Sequence, residues 1–176
     1  YSLCKEVRKK YDMPIIFISA RSSDTDILTA IGVGGDYLIP KPFSLAVLHA
    51  KVTAILKRYK ESPVIDTEDT AVSSSIKLNH IIIDPQKASI HKDGALVKLK
   101  PMEWRLLMYL IENKNRVISK QELLDNVWEE EFIGEGTLSV HIRHLREKIE
   151  DRPNDPCYIK TIWGTGYMME ITDEAI

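Results

Sequence analysis

The stretch GTLSVHIRHLREKIE (136–150) decides how this chain is read. Wound at roughly 100° per residue, it gathers Leu138, Ile142, Leu145 and Ile149 into a stripe about 60° wide. Such a stripe seats a helix on a core. The other side presents Thr137, Val140, Arg143, His144 and Glu147, with Ser139 and Arg146 flanking. Val140 stands alone among polar neighbours. A solvated face has no use for it. A face set against base edges does, because thymine offers a methyl group there and guanine offers acceptors to arginine. Taken alone, the stretch equally fits an ordinary charged, wet face.

The rest of the composition narrows the choice. A chain of 176 residues has room for one or two domains. With 44% hydrophobic and 28% charged residues it reads as an ordinary globular protein. No apolar run approaches a membrane span and no signal peptide is visible, so no membrane role is expected. Cys4 and Cys157 lack metal-ligand spacing and read as free thiols in a reducing cytoplasm. Residues 76–176 hold 14 Lys+Arg against 17 Asp+Glu, a net of −3. Nucleic-acid modules are usually basic, so any DNA role must rest on local clusters. KNRVISKQ (114–121) and HIRHLREK (141–148) are basic, and EEEFIGE (129–135) between them is acidic.

The chain divides by style. SLCKEVRKKY (2–11) reads as a helix with Leu3 and Val7 at helical spacing. PIIFISA (14–20) is a short apolar run of the kind buried on both faces. SSDTDILTAIGVGG (22–35) reads as a helix opened by Ser or Asp and closed by Gly. DYLIPKPF (36–43) is a second buried strand. SLAVLHAKVTAILKRY (44–59) is an amphipathic helix with Ser44 as cap and Leu45, Leu48, Val52, Ile55 and Leu56 inward. Alternating helices and strands imply a parallel sheet, but two strands make an incomplete one. KESPVIDTEDTAVSSS (60–75) reads as a linker.

The second half begins with three expected strands, IKLNHIIID (76–84), KASIH (87–91) and ALVKLK (95–100), the last two joined at KDG. KPMEWRLLMYLIENK (100–114) is a helix with Pro101 in its first turn and Trp104, Leu107, Met108 and Ile111 expected inward. SKQELLDNVW (119–128) opens with a capping-box pattern, Ser119 to Glu122. After the opening helix, CYIKTIWGTGYMMEI (157–171) reads as a hairpin around Gly164 and Gly166. Three helices closed by a C-terminal hairpin is the winged-helix arrangement, whose last helix enters the major groove.

These residues carry a family resemblance. LKPMEWRLLMYLIENKNRVISKQELLDNVW (99–128), TLSVHIRHLREKIED (137–151) and YIKTIWGTGY (158–167) closely resemble the DNA-binding domain of OmpR/PhoB-type bacterial response regulators. PIIFISAR (14–21) and KPF (41–43) resemble the fourth-strand and fifth-strand regions of their receiver domain. The resemblance implies a flavodoxin-like α/β partial receiver with its first three strands missing (1–59), then the linker (60–75), then an α+β winged helix-turn-helix domain (76–176). Lys41 resembles the lysine that pairs with an acyl phosphate, Ser19 the hydroxyl that bonds a phosphate oxygen, and Pro42 the proline whose cis peptide aims that lysine. Lys51 lies where a basic dimer-face residue is expected. The family's phosphoacceptor Asp and Mg²⁺-binding acids would precede residue 1. Asp12, Asp24, Asp26 and Asp36 do not end an apolar strand run. The chain is therefore read as an N-terminally truncated response regulator with no cofactor of its own, Mg²⁺ belonging only to a complete receiver. In GGDYLIPKP (34–42), Tyr37 stands at the second acid of the family pattern and Leu38 at its aromatic position.

By the same resemblance, Thr137, His141, Arg143, His144, Arg146 and Thr161 match positions used on phosphates or bases, and Val140 suits an apolar base contact. His141, beside the stripe, is read as partly a packing residue. Trp163 is counted with the candidate DNA contacts, as a wing residue stacking on sugar or backbone, although its residue type leans slightly to a place in the core. Gly136, Trp163 and Met168 stand where basic residues are common, which weakens the sequence-independent phosphate attraction. The implied partners are double-stranded promoter DNA, a cognate sensor histidine kinase, RNA polymerase through the acidic loop, and a second copy in the full-length protein. A phosphorylation-linked interaction module with only non-specific DNA affinity is the alternative. No nucleophile–base pair, HExxH or phosphate-binding loop marks an enzyme.

Overall fold

The computed structural model describes residues 1–61, 75–128 and 135–171. The chain divides into two compact units, Tyr1–Ser62 and Pro63–Ile176.

In the first unit, helix α1 (Ser2–Arg8), strand β1 (Ile16–Ser19), α2 (Asp24–Gly32), β2 (Tyr37–Pro40) and α3 (Leu45–Glu61) follow the expected order. The two strands are parallel, in register from Ile16↔Tyr37 to Ser19↔Pro40. Ser23 caps α2 in a reciprocal box with Asp26, and Ser44 Oγ accepts the N–H of Val47 at 3.1 Å. Cys4, Ala30, Ile31, Leu38 and Ile39 form a small core. Three expectations need correction. β1 is not buried on both faces: Ile18 is exposed, since no element among the described residues covers its face. α1 turns Cys4 inward and Leu3 outward. On α3 the half-buried stripe is Leu48, Val52 and Ile55, and Leu45 and Leu56, at its edge, are exposed. The helix also runs through residue 60 to Glu61. The remainder of the expected linker, 62–74, lies outside the described residues.

The second unit opens with an antiparallel sheet of four strands, β3 (Ile76–Leu78), β4 (Ile81–Asp84), β5 (Ser89–Lys92) and β6 (Ala95–Val97). The run 76–84 is thus two strands rather than one, broken where Asn79 adopts φ +49°. Next come α4 (Pro101–Glu112), β7 (Ile118–Ser119), α5 (Lys120–Leu123) with a π-helical turn at Leu124–Trp128, α6 (Glu135–Ile149), β8 (Ile159–Ile162) and β9 (Gly166–Met169). The last strands order as β7-β9-β8, so the hairpin gains a third strand.

α4 buries Met102, Leu106, Leu107, Leu110 and Ile111, while Trp104 and Met108 are only half-buried. The unbroken run LLMYLI left the phase of the stripe open to tertiary packing. Ser119 Oγ accepts the Glu122 N–H at 3.1 Å, but the Glu122 carboxylate goes to Tyr109 and Arg116 instead of closing a box. The α6 stripe is as read: Leu138, Ile142, Leu145 and Ile149 are all buried in the core shared with α4 and the hairpin. No helix among the described residues is long and apolar enough to cross a membrane.

Candidate nucleic-acid interface

The outward face of α6 centres on Arg143. Its side chain is 76% exposed and makes an i,i+4 bond from Nε to Glu147 Oε1 at 2.9 Å. Ser139 is exposed beside it, and Val140 and His144 are half-buried. Burial first, and Lys100 and Lys148 with it, push the His144 imidazole below its ordinary range against the opposing pull of Glu103 and Glu147.

Two expected contacts face the other way. Thr137 is 5% exposed and His141 2%. The His141 ring packs against Trp128, centroids 5.3 Å apart. Neither of its ring nitrogens has a hydrogen-bond partner among the described residues. Burial pushes it down to about 4. The reason is that α6 lies against both α4 and α5. The buried arc therefore extends beyond the apolar stripe, through His141 to Thr137. Both residues are removed from the candidate contact face.

Arg146 and Thr161 were expected to reach DNA separately; they bind each other. Arg146 donates from Nε and Nη2 to Ile159 O at 3.0 and 2.6 Å, and from Nη2 to Thr161 Oγ1 at 2.8 Å. Glu150, which sequence reasoning missed, accepts the N–H groups of Cys157, Tyr158 and Ile159 at 2.8, 2.9 and 2.8 Å. A glutamate after a basic helix carries no signal of that role. Together the two side chains fasten β8 to α6. Lys148, counted in the basic cluster, turns inward to Glu103 at 2.5 Å and to Lys98 O at 2.9 Å.

Trp163 is not in the core. It stands 90% exposed at the hairpin tip, in a turn closed by Thr165 N–H to Ile162 O at 3.0 Å with Gly164 at φ +74°. Past the end of β8 its side chain has no facing strand. A groove of about 680 Å³ runs between α6 and the hairpin, lined by Arg143, Arg146, Glu147, Lys160, Thr161 and Trp163 among others.

In the first unit, β1 and β2 bring Ser19 and Lys41 to the same end of the sheet. Lys41 N–H donates to Ser19 O at 2.7 Å, Ser19 Oγ accepts the Arg21 N–H at 2.9 Å, and the Lys41–Pro42 peptide is cis. Lys51 is engaged within the unit: its ammonium donates to Tyr37 Oη and lies 4.1 Å from the centre of that ring. Asp36 binds Arg8 and accepts the Ile15 N–H at 2.7 Å. Among the described residues no group of three or more His, Cys, Asp or Glu is placed to hold a metal ion. The acidic loop expected to meet RNA polymerase lies, apart from Glu135, outside the described residues.

Helix α6 packed on α4 and α5, with a fastened hairpin beside it, defines a winged-helix protein. Residues 94–169 match the family described as "Transcriptional regulatory protein, C terminal". The chain is 38% identical over 166 residues to the uncharacterized transcriptional regulatory protein YcbL of Bacillus subtilis (strain 168), covering 94% of this chain and 72% of that protein. It is similar to the response regulator DrrB, an OmpR/PhoB homolog of Thermotoga maritima, with 28% identity and a TM-score of 0.52 over 96% of this chain and 72% of that one. The RstA DNA-binding domain of Klebsiella pneumoniae, solved in complex with the RstA box, shares the fold over 55% of this chain and 97% of its own, with 24% identity and a TM-score of 0.50. The chain belongs to the OmpR/PhoB-type response regulators, and its second unit holds their winged-helix DNA-binding domain.

Proposed function

We propose that this chain is a sequence-specific transcription regulator that binds double-stranded promoter DNA, with α6 in the major groove and the β8–β9 hairpin as wing. The observation that carries the reading is Arg143: a guanidinium 76% exposed, tethered to Glu147, and flanked by Val140 and His144 on the open face of α6. Arginine there can address guanine O6 and N7 while Val140 meets a thymine methyl. Ser19, Lys41 and Pro42 at one end of the β1–β2 sheet support a receiver role for the first unit. A cognate sensor histidine kinase would supply the phosphoryl group. Receiver pairing would then set two winged helices on tandem half-sites, where RNA polymerase is met. The setting is the bacterial cytoplasm.

The test is selection from random duplexes with the whole chain, followed by titration of the recovered pool. An enriched motif is expected, and Arg143→Ala should cost roughly 1–3 kcal/mol of specific binding. Wild-type affinity in that variant would remove Arg143 from the interface. Salt-sensitive binding without any motif would favour a phosphorylation-linked interaction module instead.

A further inference from the structure

We infer that Lys92 is a positioning residue for DNA reading: from the four-stranded sheet it holds the C-terminal end of α6, and so sets where Arg143 stands against a base edge. This rests on the DNA-binding reading above and deepens it. Two local rules are broken at one place in the fold, and each break answers the other.

The first is Lys92 itself. Side chains alternate along a strand, so Lys92 shares the face of β5 that carries the buried Ile90, and its partner across the ladder, Ile81, is buried too. A lysine has no apolar reason to stand in that row, yet its side chain is only 19% exposed. The second is the end of α6. The negative pole of a helix favours cations, but Glu150 and Asp151 follow Ile149. The Lys92 ammonium meets both needs. Nζ donates at 2.8 Å to Glu150 O, a carbonyl that the helix end leaves without an intrahelical donor. It also lies 2.9 Å from Asp151 Oδ1.

The joint gathers three elements. His80 Nε2 is 3.1 Å from the same Asp151 oxygen, and the Asp93 N–H donates to His80 O at 3.0 Å. Tyr158 Oη donates to Leu78 O at 3.3 Å. The Glu150 carboxylate holds the start of β8. Sheet, reading helix and hairpin thus meet at Glu150 and Asp151. The anchor is stiff, because β5 is paired on both sides, with β4 and β6.

Arg143 is seven residues before Glu150, about 10 Å along the helix. It is tethered to Glu147 of the same helix, so it moves as α6 moves. A bidentate contact to guanine tolerates only about 0.5 Å of misplacement. Backbone phosphates are less exacting, because attraction to them carries no sequence information.

The test uses the whole chain and its Lys92→Met, Lys92→Arg and Asp151→Asn variants, with the Lys92→Met/Asp151→Asn double. The probes are the duplex recovered by selection and sonicated mixed-sequence duplex DNA. Met occupies much the same space and suits the apolar row, so the urea midpoint should stay close to wild type. Affinity for the selected duplex should fall about tenfold, while affinity for mixed sequence and the slope of log K against log salt stay unchanged. Arg, which keeps charge and donors, should recover most of the loss. Asp151→Asn should show a smaller loss of the same kind, and the double variant should bind no worse than Lys92→Met, because the two residues form one joint. Unchanged preference for the selected duplex in Lys92→Met would overturn the inference while leaving DNA binding intact. So would equal losses on both probes, which a merely stabilising lysine gives, or a slope shallower by about 0.9, which a phosphate contact gives. Should Lys92→Met fail to fold, Asp151→Asn decides, since that carboxylate is 64% exposed: a folded variant with wild-type preference overturns the inference. A chain from which no motif is recovered would overturn both this and the proposed function.

Discussion

Arg146 of α6 and Thr161 of β8 are joined by a 2.8 Å hydrogen bond from Nη2 to Oγ1, and the same guanidinium holds the Ile159 carbonyl. Two residues expected on DNA are thus a strut between the groove-reading helix and its wing. Arg146→Ala should lower the unfolding free energy by about 2 kcal/mol, in the range for hydrogen bonds from a charged group. The urea midpoint should fall at unchanged m-value. If the midpoint holds while DNA affinity falls, Arg146 is a DNA contact and not a strut.

His141 makes the fold sensitive to acid. Its imidazole is held near 4 by burial, while in the unfolded chain it titrates near 6.5. Above pH 6.5 both states are neutral and the group contributes no pH dependence. Between about 6.5 and 4 the unfolded state alone takes up the proton, so stability falls as pH falls, by about 3 kcal/mol in full. His141→Leu should flatten the urea-midpoint profile across that window. A profile identical to wild type would show that the ring is not buried as described.

Lys148 neutralises a carboxylate that is 1% exposed. Burial alone would raise the Glu103 pKa, but the ion pair and hydrogen bond from Lys148, with lesser help from Lys100, hold it below the ordinary value. A lowered carboxylate stabilises above its unfolded pKa and loses that contribution as pH falls through its folded one. Lys148→Met should therefore cost about 3 kcal/mol at pH 7. The deficit should shrink toward pH 5 as the unpaired Glu103 takes up a proton, and adding Glu103→Gln should recover much of it. A deficit that ignores pH would argue for lost packing alone.

Gly166 is where β9 meets β7. A Cβ there would stand 2.0 Å from the Ile118 carbonyl oxygen, so the backbones must part. Gly166→Ala should cost about 3 kcal/mol, at the upper end for overpacking. Gly164→Ala meets no neighbouring atom within 4 Å but must hold φ +74°, which costs about 1 kcal/mol. Thermal unfolding of the pair separates crowding from conformational strain. Equal shifts would contradict the close approach.

Much of the architecture was legible because local rules agreed. Ser44 and Ser119, both read as helix caps, accept N–H groups of their first turns. Asp93 and Gly94 adopt positive φ at the KDG turn, and the α6 stripe falls on the core. Where the sequence was apolar without interruption, as along α4, periodicity could not set which side faces inward. Where one residue took a left-handed turn, as at Asn79, a single apolar run became two strands.

The sequence by itself determined the class of this protein. Helix stripes, caps, turns and the ordered winged-helix motifs depend on residues near one another along the chain, and that information is local. Which polar residues of α6 reach outward was decided only by tertiary structure. His141 and Thr137 are buried because α4 and α5 both lie against the helix. Arg146 is drawn to β8 because the hairpin returns beside it. Trp163 is left in solvent because the chain turns at Gly164 before another element can cover it. A helical projection gives the direction of a side chain; what waits in that direction comes from elsewhere in the chain.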